Sequence, residues 1–301
     1  MSARLLEIST RAARTLVLPG SADFFVAEGA AVWVTNRGRI EKLDINHDGP
    51  VATVAVPSPC GVMALGFGSV WVANCADASV HQVDLRTLSV TAVIPTGLAV
   101  PEGELSLAAG AGSVWVLSDR AGVLSRIDPA TNEVSARIAV APDSYAAAFG
   151  FGSVWITNTG ELGSPGAGTV QRIDPGSNEV VATIAVGPTP RFLDAGEGGV
   201  WTLNQGDGSV SRIDPATDAV VATIMVPGAD GDGGDIATDA GRVWVRATKT
   251  LLSVIDPATN TVTEQFGPPA GSGAARVAGH HVWISAHDVQ TAWAIPVSSQ
   301  R

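Results

Sequence analysis

The sequence predicts an all-β fold, a seven-bladed β-propeller, on three observations. A Trp-centred unit recurs seven times, at Trp33, Trp71, Trp115, Trp155, Trp201, Trp244 and Trp283, with spacings of 38, 44, 40, 46, 43 and 39 residues. A turn motif follows the Trp: RIDP at Arg126–Pro129, Arg172–Pro175 and Arg212–Pro215, and VIDP at Val254–Pro257. An alternating apolar stretch follows the turn: VATVAV (51–56), SARIAV (135–140), VATIAV (181–186) and VATIMV (221–226). A repeat of about 40–45 residues holding four short strands is the signature of a propeller blade.

Each element has a local reason. Strand A is a short apolar run ending in Gly. Strand B carries the VWV-like core, sharpest in Gly68-Ser69-Val70-Trp71, Gly112-Ser113-Val114-Trp115 and Gly152-Ser153-Val154-Trp155. Strand C ends at IDP, with weaker versions at Lys42-Leu43-Asp44 and Gln82-Val83-Asp84. Strand D is the VATIAV stretch. β-branched residues, period-two alternation and Gly/Pro/Asn punctuation favour strands, and no segment sustains a period of 3.6. Asp-Pro-Ala-Thr-Asn is a turn because Pro fixes φ while Asp and Asn bond nearby backbone. The seventh unit ends before a strand D. The stretch Ala13–Gly20 (ARTLVLPG) has that pattern and precedes the first strand A. The N-terminal strand is therefore expected to complete the last blade and remove an open edge. Residues 1–301 read as one propeller domain.

Composition narrows the function classes. The chain has 18 basic against 29 acidic residues, a formal charge of −11. Phosphate binding needs clustered Lys and Arg, so a nucleic-acid partner is not expected. No apolar run reaches 18 residues, so membrane insertion is not expected. The first twenty residues lack the apolar core of a secretion signal. That reading places the protein in the cytoplasm if the chain starts at its native residue, and outside it if a leader was removed. A ring closed by its own termini is consistent with a monomer.

The GSVW, RIDP and VATIAVG units, which cover nearly the whole chain, resemble the seven-bladed propellers related to streptogramin (virginiamycin B) lyase and the YncE-type surface-layer repeat proteins. The resemblance implies this fold. In the family's known enzyme it implies a magnesium-dependent lyase that opens a cyclic depsipeptide by elimination, with a His base and a Glu-held metal. Those repeats end strand B in Glu. This chain has Asn36, Asn74, Ser118, Asn158, Asn204, Ala247 and Ala286 there, so no His–Glu–Glu set carries over. The four Asn read as turn-bonding residues.

The D–A and B–C connections of a propeller share one face around the channel mouth, where ligands bind. Four residues after each Trp that face presents Arg37, Cys75, Asp119, Thr159, Gln205, Thr248 and His287. At the start of strand A it presents Asp23, Cys60, Glu104, Tyr145, Arg191, Asp235 and Ser272. Three of these form a candidate catalytic set: His287 as base, beside Asp23 and Arg37, because a carboxylate orients and activates an imidazole. Tyr145, Arg191, Glu104, Asp119 and Gln205 are candidate substrate contacts. Asp232 and Asp235, in the Gly-rich stretch from Asp230, are candidate oxygen ligands for Mg2+ or Ca2+; no organic cofactor is expected. Cys60 and Cys75 lie at nearly equal distances from the Gly66-Phe67-Gly68 turn, which sets them opposite one another and within reach of a disulfide. The insertion from Asn158 to Thr169 is either a lid or a plain surface loop. Three functions remain open. One is a lyase-like enzyme (lactonase or hydrolase less favoured) acting on a small cyclic or ester-like molecule. The second is a non-catalytic propeller binding a small molecule, a peptide or a protein. The third is a structural, surface-associated repeat protein.

Overall fold

The computed structural model describes residues 3–97, 105–119, 121–160 and 168–297, and of Asp119 it describes the backbone alone. Seven antiparallel sheets form a ring, each with strand A innermost. From A to D, blade 1 is Phe25–Glu28, Ala31–Asn36, Arg39–Leu43 and Ala52–Ala55; blade 2 is Ala64–Gly66, Ser69–Asn74, Ser79–Asp84 and Ser89–Pro95. Blade 3 is Leu107–Gly110, Ser113–Asp119, Val123–Asp128 and Glu133–Ala139; blade 4 is Ser144–Gly150, Ser153–Asn158, Thr169–Asp174 and Glu179–Ala185. Blade 5 is Pro190–Gly196, Gly199–Asn204, Ser209–Asp214 and Ala219–Met225; blade 6 is Gly234–Asp239, Arg242–Ala247, Leu252–Asp256 and Thr261–Gly267. Blade 7 is Ala275–Ala278, His281–Ala286 and Thr291–Pro296, with Arg14–Val17 as its strand D, paired Arg14↔Ala294 to Val17↔Thr291. The ring closes as the sequence predicts.

The sequence did not suggest a second N-terminal strand. Arg4–Glu7 runs parallel to strand D of blade 6 as a fifth strand, in register Arg4↔Glu264 to Glu7↔Gly267. Burial of Leu6 and Ile8 in the cluster holding Phe266 and Leu252 fixes it there. Among the described residues no helix is long and apolar enough to cross a membrane.

The repeated motifs lock blade to blade. In blades 3, 4 and 5 the Arg of RIDP lies over its own blade's Trp: Arg126 over Trp115 at 4.8 Å, Arg172 over Trp155 at 5.5 Å and Arg212 over Trp201 at 4.8 Å. Each guanidinium then reaches the Asp-Pro turn of the next blade. Arg126 donates to Pro175 O and Asn178 Oδ1, both at 2.8 Å. Arg172 reaches Pro215 O and Asp218, and Arg212 reaches Pro257 O and Asn260 Oδ1. The acceptors Asn178, Asp218 and Asn260 sit at positive φ, which Asn and Asp tolerate better than most residues. At the closure Ala294 occupies the Arg position. Arg14, its partner on the N-terminal strand, supplies the guanidinium instead, to Ile45 O at 3.0 Å and Asp48 Oδ1 at 2.7 Å.

The Cys60–Cys75 disulfide is formed, with Cα atoms 6.0 Å apart, joining the lead-in of strand A to the end of strand B in blade 2. Three of the four repeated Asn residues, Asn36, Asn74 and Asn158, bond backbone as expected, whereas Asn204 bonds the side chains of Thr202, Ser209 and Ser211. Asn36 Oδ1 accepts from Ser21 N at 2.7 Å and Asn74 Oδ1 from Ser58 N at 2.7 Å.

Candidate functional site

Asp23 and Arg37 line one cavity of about 310 Å³ between blades 1 and 2, with Ser58, Pro59 and Cys60, and that lining does not include His287. His287 begins a short 3-10 turn, His287–Val289, at the start of strand C of blade 7. The turn brings the Asp288 carboxylate to His287 Nδ1 at 3.0 Å, while Asp288 Oδ2 also accepts from Ser272 N at 3.0 Å. The imidazole's carboxylate partner is thus the adjacent Asp288. Asp23 is fixed through its backbone: its N–H donates to Thr35 O, and its carbonyl accepts from Ser285 Oγ at 2.6 Å.

Three of the expected substrate contacts, with Asp232 of the expected metal pair, gather on the mouth of blades 4 to 6. The Arg191 guanidinium stacks over Tyr145 at 5.1 Å, and Tyr145 meets Phe192 edge-on at 5.6 Å. Arg191 Nη1 lies 3.4 Å from Asp232, which is 95% exposed, and Gln205 Nε2 donates to Gly233 O at 2.9 Å. Glu104 lies outside the described residues, as do 161–167 of the blade 4 insertion. Asp119 ends strand B of blade 3.

Asp232 and Asp235 do not converge. Asp230 pairs with Lys249, Asp232 with Arg191, and Asp235 turns inward to Arg276. Each carboxylate is spoken for by a cation, and no group of three or more His, Cys, Asp or Glu able to hold a metal is present among the described residues.

The inward turn of Asp235 leads to a cluster that the sequence reading passed over. A cavity of about 370 Å³ occupies the central channel, lined by strands A of the blades. On strand A, the residue paired with each Trp is Val26, Ala64, Ala108, Ala148, Asp194, Ala237 and Arg276 in turn. Five are apolar and two are charged. Arg276 of blade 7 spans the channel. Its Nη1 is 3.6 Å from Asp194 of blade 5, its Nη2 is 3.4 Å from Asp235 of blade 6, and its Nε points at Phe25 O of blade 1 at 3.4 Å.

Backbone amides hold both carboxylates. Asp194 accepts from Ala195 N at 2.9 Å, Thr238 N at 2.7 Å and Thr238 Oγ1 at 3.0 Å. Asp235 accepts from Ile236 N at 2.8 Å and Ala275 N at 3.2 Å. Complete burial pushes the Asp235 carboxyl up to about 6, against the opposing pull of Arg276 and the two amides. Behind Asp235 lies Arg246, fully buried, donating to Ser285 O at 3.1 Å, Gly271 O at 2.8 Å and Ala247 O. Burial lowers its pKa to about 10, while Asp23, Asp288 and Asp235 act to raise it. The signal for Asp194 and Arg276 was present in the sequence: a charge at a register where the other repeats carry Ala or Val.

These features define a seven-bladed propeller with an ionic cluster in its channel. A family model described as a repeat of unknown function (DUF6923) matches residues 72–195. No curated protein matches the chain by sequence. Among solved structures, the hydrazine synthase of Kuenenia stuttgartiensis contains a similar fold, with a TM-score of 0.76 at 14% identity over 94% of this chain and 97% of that one. At that identity the likeness concerns the fold.

Proposed function

We propose that this propeller is a binding module that takes a small molecule into its central channel. The supporting observation is the cavity's two-sided wall. Asp194, Asp235 and Arg276 form one side, and Ala, Val, Leu and Phe side chains of blades 1 to 5 form most of the rest. Ligand pockets combine a largely apolar lining with a few fixed polar groups in about 300–1,000 Å³. The volume suits a small molecule better than a folded partner. Tyr145, Arg191, Gln205 and Asp232 would then flank its entrance, since Tyr145 packs on Phe192, itself a channel residue.

The test is amide chemical-shift mapping with a panel of small amines, carboxylates and sugars. Shifts concentrated at Asp194, Asp235, Ala275 and Arg276 are expected. A panel that leaves those amides unmoved, or moves only the mouth, overturns the channel reading.

A catalytic reading, lyase-like action on a small cyclic or ester-like molecule, is favoured by one observation, the His287–Asp288 pair at 3.0 Å. A carboxylate on Nδ1 leaves Nε2 as the base. Ester or lactone turnover abolished by His287→Ala, with folding intact, would support it; turnover unaffected by that change would remove it.

A further inference from the structure

We infer that the channel ligand is a small organic ammonium ion, a monovalent amine with a short apolar body, held by Asp194 and Asp235. The inference rests on the channel reading above and gives that site a ligand class.

Charge is the first reason. Two carboxylates and one guanidinium face the cavity, leaving an uncompensated negative charge there. Arg246 does not cancel it, because it is sealed behind strand A with three carbonyl acceptors, and Asp23 and Asp288 share its field. The chain's charge of −11 draws cations toward the ring as a whole.

Hydrogen bonding is the second. Amides hold the carboxylates in place, yet each ionised carboxylate has about four acceptor positions. One backbone bond reaches Asp194 Oδ1 and one reaches Asp235 Oδ1, so each oxygen retains acceptor capacity. The Arg276 contacts run from 3.4 to 3.6 Å, longer than a strong charge-assisted bond of about 2.7–2.9 Å. An ammonium with three donors completes this set. A free carboxylate or phosphate would meet Arg276 only between two anions.

The rest of the lining supplies the third. Ala108, Ala146 and Ala148, with Phe149 and Phe192, offer an apolar surface for an alkyl body.

The protonation of Asp235 should be linked to binding. Asp235 is faced by Arg276 from blade 7, Asp194 from blade 5 and Arg246 from its own sheet. A bound cation favours the carboxylate form, so affinity should fall as pH drops through the titration of Asp235.

The experiment is calorimetric titration of the intact protein with butylammonium chloride, with sodium butyrate and potassium chloride as controls. Butylammonium binding is expected at pH 7.5, weaker at pH 5, and reduced at least about tenfold by Asp194→Asn. Arg276→Met gives opposite signs for the two ligand classes: it should strengthen butylammonium binding and would abolish butyrate binding. Thermal melts confirm that each variant folds, and the wild-type pH dependence stands if one does not. Butyrate binding in the channel without butylammonium binding overturns the ammonium class and leaves the channel reading intact. An effect of potassium equal to that of butylammonium reduces the site to ion atmosphere and overturns the inference. If neither organic ion perturbs the channel, the inference fails, and the channel reading itself is then decided by the wider panel.

Discussion

The arginines of this ring form two populations. Arg126, Arg172 and Arg212 recur at one register, stack on Trp and clamp the following blade. Arg246 and Arg276 occur once each, sit on or beside the inner strands of blades 6 and 7, and meet carboxylates and carbonyls. The first population makes blades 3 to 5 alike. The second breaks the ring's symmetry, and only a broken symmetry can recognise an asymmetric ligand.

The largest expected effect tests the second population. Arg246→Met should destabilise the fold by about 3–5 kcal/mol, the cost typical of breaking a buried ionic set. It strands Ser285 O and Gly271 O and removes a buried cation that shares a field with Asp23, Asp288 and Asp235. Urea unfolding measures it. A loss under about 1 kcal/mol would mean water replaces the guanidinium, and the inner ring is then looser than its burial implies.

The disulfide offers a control outside both populations. It closes a 15-residue separation in blade 2. Replacing Cys60 and Cys75 by Ser should cost about 3 kcal/mol by loop entropy. Because the bridge lies at the mouth of blade 2, away from Asp194 and Arg276, channel titrations should be unchanged; a changed affinity would tie the two regions together.

Asp235 gives a pH signature. Its folded pKa of about 6 lies above the ordinary 3.8. A raised acid pKa stabilises the fold fully below 3.8, and that contribution is lost as pH rises through 6. Wild type should therefore lose stability relative to Asp235→Asn between pH 4 and pH 7, by about 2–3 kcal/mol. Parallel pH profiles for the two proteins would show that Asp235 is ionised throughout.

What the sequence made legible follows the same division. Blades, turns, ring closure and the disulfide were readable because each rests on a repeated or local rule: Trp spacing, Asp-Pro turn chemistry, equal distances from one hairpin. Blade alignment also put Tyr145, Arg191 and Gln205 on one face, from the start of strand A and the position four after Trp; the Arg191 contact with Asp232 it did not indicate. The partner of His287 was not readable, because a single 3-10 turn sets Asp288 beside it. Nor was Arg276 reaching Asp194 two blades away, since no pattern in sequence encodes a side chain crossing a channel.

The smallest effect tests the first population at a place where its pattern lapses. Blade 2 carries Gln82 where blades 3 to 5 carry Arg, and the turn of blade 3 then has a buried Asn132 Oδ1 with no partner. A complementary lapse occurs in blade 5, where Gly199 replaces the Ser that receives Arg Nε in blades 3 and 4, and Arg212 Nε is left unpartnered. Each departure from the repeat thus orphans one atom of the clamp. Ser69 in blade 2 is already in place, accepting from Gln82 Nε2 at 3.2 Å as Ser113 accepts from Arg126 Nε at 2.8 Å. Gln82→Arg should therefore stack on Trp71, keep the Ser69 contact and reach Asn132, stabilising the protein by about 1 kcal/mol. The bond from Thr91 Oγ1 to Gln82 Oε1, lost in the exchange, is exposed and worth less. Adding Asn132→Ala should erase the gain, and the double-mutant cycle isolates the clamp from the stacking. A gain that persists without Asn132 would assign the stabilisation to the Arg–Trp stack alone, and the blade-to-blade bond would then be a consequence of the ring's closure rather than one of its causes.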